Sequence, residues 1–370
     1  MSDQQKSYKF VTLDGLRGFA ALAVMIFHFQ DHTELMGGWA PFKAGALAVD
    51  FFFILSGFVI AHAYERRFSA GMSMGQFVGA RLIRLAPMYL FGTILTIIYL
   101  AVLRWKQYYL HPAPDGVFYG DCVLGLLGIP NLDIHRQFYP LNFPAWSLIF
   151  EIIANVVYRL IFKRLSDRIL IGLVVLSYLA MYFHIKTVGA HIGIGYTLLD
   201  LVRVSYGFFA GVLVYRVWSR ATFRPQLPAW LLVAALLLLL VDNKYEHYAM
   251  TLFPALVYFG ACTKFTRLTG GCFIALGELS FGIYMVHDAV IRIAVTMVNR
   301  FPEASASNSG PCAALAAGAG AILLAFVSYH IYDVPVRSRM MRLLRRPSPK
   351  LSVEEGLART AAESLPGGRS

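Results

Sequence analysis

Residues 12–29 read TLDGLRGFAALAVMIFHF, too apolar for a surface helix, yet they carry Asp14, Arg17 and His28. On a helix, the eleven-residue step from Arg17 to His28 is about three full turns. Both side chains therefore leave one face, ~16 Å apart along the axis. Ionisable groups inside a membrane helix are costly and usually face a partner or a water-filled cavity. Two on one stripe point to a polar slot running through the protein. The competing reading is a snorkelling arginine and a hydrogen-bonded core histidine.

The rest of the chain sets the class. Of 370 residues, 58% are hydrophobic and only 15% charged, with a mean hydropathy of +0.59; soluble domains carry roughly 25% charged residues. Nearly uncharged runs follow one another. Runs such as AWLLVAALLLLLV (229–241) do not alternate as a transmembrane barrel strand would. The expectation is an all-α, polytopic transmembrane helical bundle. Ten spans are expected, near 12–30, 45–64, 83–103, 146–162, 169–185, 197–215, 228–242, 249–263, 274–297 and 311–333. A net charge of +12 could suggest nucleic acid, but the basic residues cluster in short connections between apolar runs, so no nucleic-acid partner is expected. With ten spans and both termini cytoplasmic, 24 of the 33 Lys and Arg fall inside. An eleventh span at 116–130 (GVFYGDCVLGLLGIP) would invert every later basic cluster. Residues 104–145 are therefore expected as one long outer loop, with a re-entrant piece as an option. No cleavable signal peptide is expected, because the first apolar run carries Arg17 and lacks a small-residue cleavage site. Cys122, Cys262, Cys272 and Cys312 show no disulfide or metal-ligand spacing. Residues 1–337 read as the membrane domain and 338–370 as a basic, disordered cytoplasmic tail.

Topology assigns a depth to each polar residue. Arg17, Arg81 and Arg84 fall at the cytoplasmic face. His28, Asp50 and Glu151 are expected together in the outer half, with Trp146 and Ser147. Ser280, Tyr284 and His287 are spaced by four and three and share one helix face. Each has a plainer reading: topology anchors for Arg81 and Arg84, ion-pair partners for Asp50 and Glu151, a packing notch for Ser56–Gly57. His28 and His32 have the spacing of metal ligands, but with no third ligand evident no metal site is expected. Arginines at the cytoplasmic face suit a phosphate-bearing ligand, and a deeper histidine suits general-base work on a hydroxyl. Coenzyme A would bridge the two, its nucleotide on the arginines and its thioester carried inward.

At these residues the chain resembles the acyltransferase-3 family of membrane proteins. The matching stretches are LDGLRGFAALAVMIFHF (13–29), VDFFFILSGFVI (49–60), RLIRLAP (81–87), WSLIFE (146–151), LSFGIYMVH (279–287) and YDVPVR (332–337). They come in the family's order and span nearly the whole chain; the last carries Asp333 where glutamate is common. The resemblance implies a bacterial inner-membrane enzyme that moves an acyl group, usually acetyl from acetyl-CoA, to a hydroxyl of a glycan, lipid-linked saccharide or small molecule. It also implies that Arg17 and His28 are the essential pair. The expected roles are His28 as general base, Asp50 or Glu151 orienting it, and Arg17, Arg81 and Arg84 holding acyl-CoA. Trp146, Ser147, Tyr284 and His287 are expected at the acceptor or oxyanion, and Asp14, Ser56, Gly57 and Asp333 in structural motifs. The tail is too short for the hydrolase-like domain of some relatives, so the protein is expected to act alone or with a separate glycan-assembly partner. The alternative is a flippase for a lipid-linked glycan; the lack of a visible internal repeat counts against it.

Overall fold

A computed structural model of the chain describes residues 10–36, 38–108, 113–133, 136–188, 198–264, 267–300 and 309–345. Among these there is no strand, and the expected all-α bundle is what they form. The principal helices are α1 (Val11–Gln30), α2 (Ala48–Ser69), α3 (Met74–Trp105), α4 (Asp115–Leu127), α5 (Trp146–Ile161), α6 (Asp167–Val188) and α7 (Leu198–Arg220). They continue as α8 (Ala229–Leu239), α9 (Glu246–Cys262), α10 (Arg267–Arg300), α11 (Ser309–Ser328) and α12 (Val334–Arg345). A π-helical turn, Tyr329–Asp333, joins the last two.

Each expected span has its helix. Eight stretches among the described residues are long and apolar enough to cross a bilayer. The expected spans at 228–242 and 249–263 are the shorter α8 and α9, of 11 and 17 residues. Two expectations change in detail. The stretch 104–145 contains α4, a 13-residue helix, ~20 Å long and too short to cross the hydrocarbon. It docks on α3, where the Tyr89 hydroxyl donates to the Gly125 carbonyl at 2.5 Å, and its buried Asp121 accepts from Arg136 and Asn131. The tail expected from 338 begins as the helix α12; residues 346–370 lie outside the described residues.

Small residues set the helix spacing. A Cβ on Gly57 of α2 would stand 1.9 Å from the Phe208 carbonyl oxygen, and one on Gly211 of α7 1.9 Å from that of Ile54. Backbones in such contact are the membrane form of tight helix packing, so Gly57 acts as a packing notch. The same device joins α1 to α10. A Cβ on Gly18 would stand 2.4 Å from Leu276 Cβ, and one on Gly277 2.9 Å from the Asp14 carbonyl oxygen. Contacts between α1 and α10 advance together along both helices, from Gly18–Leu276 to His28–His287, so the pair runs parallel. The Arg17/His28 stripe therefore faces the Ser280/Tyr284/His287 stripe.

Candidate active site

At one end of this helix pair, Arg17 is held by α10. Its Nε donates to Ser280 Oγ at 2.9 Å, one Nη donates to the Gly277 carbonyl, and the same Nη lies 3.3 Å from Asp14. A guanidinium with its fork bonded in this way has a fixed plane. Beside it opens a cavity of about 200 Å³, with Arg17, Arg81, Arg84, Glu151, Ser56 and Ser280 as its polar lining and Phe52, Phe53, Leu55, Val59, Leu85 and Phe281 among its apolar walls. Glu151 Oε1 accepts from Arg81 at 2.5 Å and from the Ser56 hydroxyl at 2.6 Å. Arg84 lines the same cavity and, among the described residues, forms no ion pair. Of the three cavity arginines, it is the one with no carboxylate partner among the described residues.

The far end of the cavity is closed by hydroxyls. Tyr284 and Ser147, both lining it, are 3.0 Å apart, and each hydroxyl also reaches the Pro144 carbonyl, at 3.3 and 3.0 Å. Beyond this barrier lie the histidines. The His28 ring stacks on His287 with centroids 5.2 Å apart and planes 22° apart, and Phe143 meets its edge at 6.0 Å. His287 is buried. Its Nδ1 lies 3.2 Å from the Ile283 carbonyl, which can only accept, and Nε2 has no partner among the described residues. His28 is partly open, 23% exposed, and its Nδ1 lies 3.8 Å from Asp31 Oδ2.

The residues singled out in the sequence thus fall into three groups, and three expectations need correction. Asp50, expected to orient His28, spends both carboxylate oxygens on Arg203, at 2.6 Å each; both side chains are 1% exposed. A lone arginine within an apolar span must find such a partner, which was the available signal for this pair. Trp146, expected at the acceptor, is buried and lies over the Arg203 guanidinium at 5.8 Å. Glu151, expected at the depth of His28, instead meets Arg81. The reason is length: Arg81 lies seven residues into α3, and Glu151 eight residues past the start of the Phe143–Ala145 turn leading into α5. Each reaches roughly 10–13 Å inward from its own end, so they meet mid-bundle. Ser147, Tyr284, Ser280 and Arg84 all line the one cavity, although the sequence sets Arg84 at the cytoplasmic face and Ser147 in the outer half. Asp333 is buried in the π-helical turn and pairs with Arg337 at 2.8 Å. Sequence reading passed over Asp31, although three residues after His28 is one helical turn.

Comparison with known proteins places the chain in a family. The profile of the family described as Acyltransferase domain matches residues 10–330. The chain is 36% identical over 165 residues to Protein 2 in picA locus from Rhizobium radiobacter, covering 42% of this chain and 83% of that protein. It is 24% identical over 391 residues to the peptidoglycan O-acetyltransferase OatA of Listeria monocytogenes, covering 90% of this chain and 56% of OatA. The chain thus spans little more than half of OatA's length. No solved structure matches it. With the profile extending over nearly the whole helical bundle, the chain belongs to the acyltransferase-3 family of membrane proteins.

Proposed function

We propose that the protein is an O-acyltransferase of the bacterial inner membrane that takes an acetyl group from cytosolic acetyl-CoA and places it on a glycan hydroxyl presented from the outer side. One observation carries the reading: an arginine-lined cavity and a partly open histidine stand toward opposite ends of one helix, with a pair of hydroxyls between them. The naming of OatA as a peptidoglycan O-acetyltransferase supports acetyl as the group and a glycan as the acceptor.

In this mechanism Arg84 takes a phosphate of the donor, while Arg17 and Arg81, already bonded, define the cavity wall. The pantetheine arm runs up the apolar walls and brings the thioester carbonyl to Tyr284 and Ser147. The acceptor hydroxyl approaches His28 from the outer side, with Asp31 3.8 Å from Nδ1 and Nε2 left for the proton. As Nε2 takes that proton, the acceptor oxygen attacks the carbonyl carbon. The oxyanion accepts a hydrogen bond from Tyr284 or Ser147. Collapse breaks the carbon–sulfur bond, and the CoA thiolate takes the proton from the imidazolium. Every charge that develops lies beside a group able to meet it. His287, stacked on the base, holds its ring plane. Asp50 and Arg203 brace α2 against α7 without touching substrate.

The test is purified protein in proteoliposomes with labelled acetyl-CoA and a glycan acceptor. Label on the acceptor as an O-ester supports the reading. Glycan translocated without covalent change would make the protein a carrier instead.

A further inference from the structure

Helix α12 lies beyond the segment matched by the family profile, which ends at residue 330. The continuous helical stretch from Cys312 to Leu344 runs for 33 residues, about 50 Å, against ~30 Å of hydrocarbon. Its last dozen residues therefore have to leave the membrane core. At ~100° per residue the side chains of α12 sort into three strips. Arg337, Met341 and Leu344 share one on the side of α3: Leu344, though 40% exposed, stands beside Gly79 of α3, and Arg337 reaches back to Asp333. Ser338, Arg339 and Arg342 form a second, polar strip. Both arginines are exposed, and among the described residues neither forms an ion pair. Val336, Met340 and Leu343 form the third, with Met340 37% and Leu343 63% exposed.

An exposed apolar strip beside an unpaired basic one is what a helix lying in a membrane surface presents. We infer that α12 is a surface-lying helix that binds the anionic leaflet. Met340 and Leu343 enter the boundary of the acyl chains, and Arg339 and Arg342 bind the phosphates of anionic headgroups. Charge complementarity selects the occupant: phosphate-bearing lipid supplies counterions for the two unpaired arginines and an apolar layer for the strip beside them, at the depth where the chain leaves the bilayer. Docking there presses α12 onto α3, the helix that carries Arg81 and Arg84, and fastens the π-helical turn through Arg337–Asp333. The inference does not depend on the acyl-transfer chemistry.

Hydrogen exchange of the full chain in nanodiscs tests it, with phosphatidylglycerol compared with phosphatidylcholine. Peptides covering 334–345 should exchange more slowly in the anionic discs, while peptides from α11 stay unchanged and report an intact fold. Each arginine at an anionic surface shifts partitioning about fivefold, so Arg339→Gln with Arg342→Gln should reduce the docked population ratio about 25-fold and abolish the slowing. Leu343→Ser, with both charges kept, should weaken it. Equal exchange in the two lipids overturns the inference. So does slowing in phosphatidylcholine discs on adding adenosine 3′,5′-bisphosphate, which would assign the arginines to a soluble nucleotide.

Discussion

The two ends of α1 hold their polar residues in opposite ways. At the inner end, Arg17 is bonded to Ser280, Gly277 and Asp14 and is already in place before any ligand arrives. At the outer end, His28 is clamped by rings, with His287 on its face and Phe143 at its edge, and its nearest carboxylate stands off at 3.8 Å. A guanidinium whose fork is already bonded makes a fixed wall beside Arg84, the cation proposed to receive a phosphate. A base that must take a proton gains from a fixed ring plane and an uncommitted nitrogen. The difference therefore separates holding from reacting along one helix. A third setting sharpens it: the Asp50–Arg203 pair, fully buried and bonded on both sides, serves neither purpose and belongs to the frame.

The largest effect should come from that frame. Removing one partner of a buried pair costs about 3–5 kcal/mol, whereas an apolar replacement of both is often neutral. Arg203→Ala should accordingly lower the thermal unfolding temperature sharply, and Asp50→Leu with Arg203→Met should recover it and retain acyl transfer. A stable double variant without transfer would return Asp50 to the reacting set. At the inner end, a hydrogen bond to a charged group contributes ~1.5–3 kcal/mol. Arg84→Ala should therefore raise KM for acyl-CoA about 10- to 150-fold with kcat little changed, while Arg17→Lys, which keeps the charge and loses the fork, should weaken donor binding less. Donor titration by calorimetry checks both; unchanged affinity in Arg84→Ala would leave the cavity's cation without a ligand. The smallest effect is at the outer end. Asp31 is 58% exposed, and exposed pairs contribute ~0.2–1 kcal/mol. Asp31→Asn should lower kcat by no more than about fivefold, Asp31→Glu should restore part of it, and the KM for donor should stay put. A change confined to donor KM would place Asp31 in the wrong half of the molecule.

Much of this was legible in residue order. The eleven-residue step from Arg17 to His28 and the four-and-three spacing of Ser280, Tyr284 and His287 each put side chains on one helix face, and helical periodicity is local. That the two stripes face each other was not legible, since it follows from Gly18 and Gly277 bringing α1 and α10 into register. Depth read from the chain failed for Glu151 because basic clusters fix orientation but not how far a helix extends past the bilayer. Arg81 sits well inside α3 only because Ser73 caps that helix, accepting from the Gln76 amide, long before the apolar run starts. The partner of Asp50 is hidden from the sequence for a related reason. A carboxylate in an apolar span announces a partner but not which one, and Arg203, 153 residues away, is named only by the fold.

The central claim is that donor binding and proton removal are divided between the two ends of α1. His28→Gln tests it directly, because glutamine keeps hydrogen-bonding capacity and much of the volume while abolishing the base. The measurement is acetyl transfer and acetyl-CoA affinity on the same purified variant, with folding verified by thermal unfolding. The expected result is donor affinity equal to wild type with transfer reduced about 10²- to 10⁴-fold. Transfer near the wild-type rate in a folded variant would contradict the account and leave His28 as a packing residue.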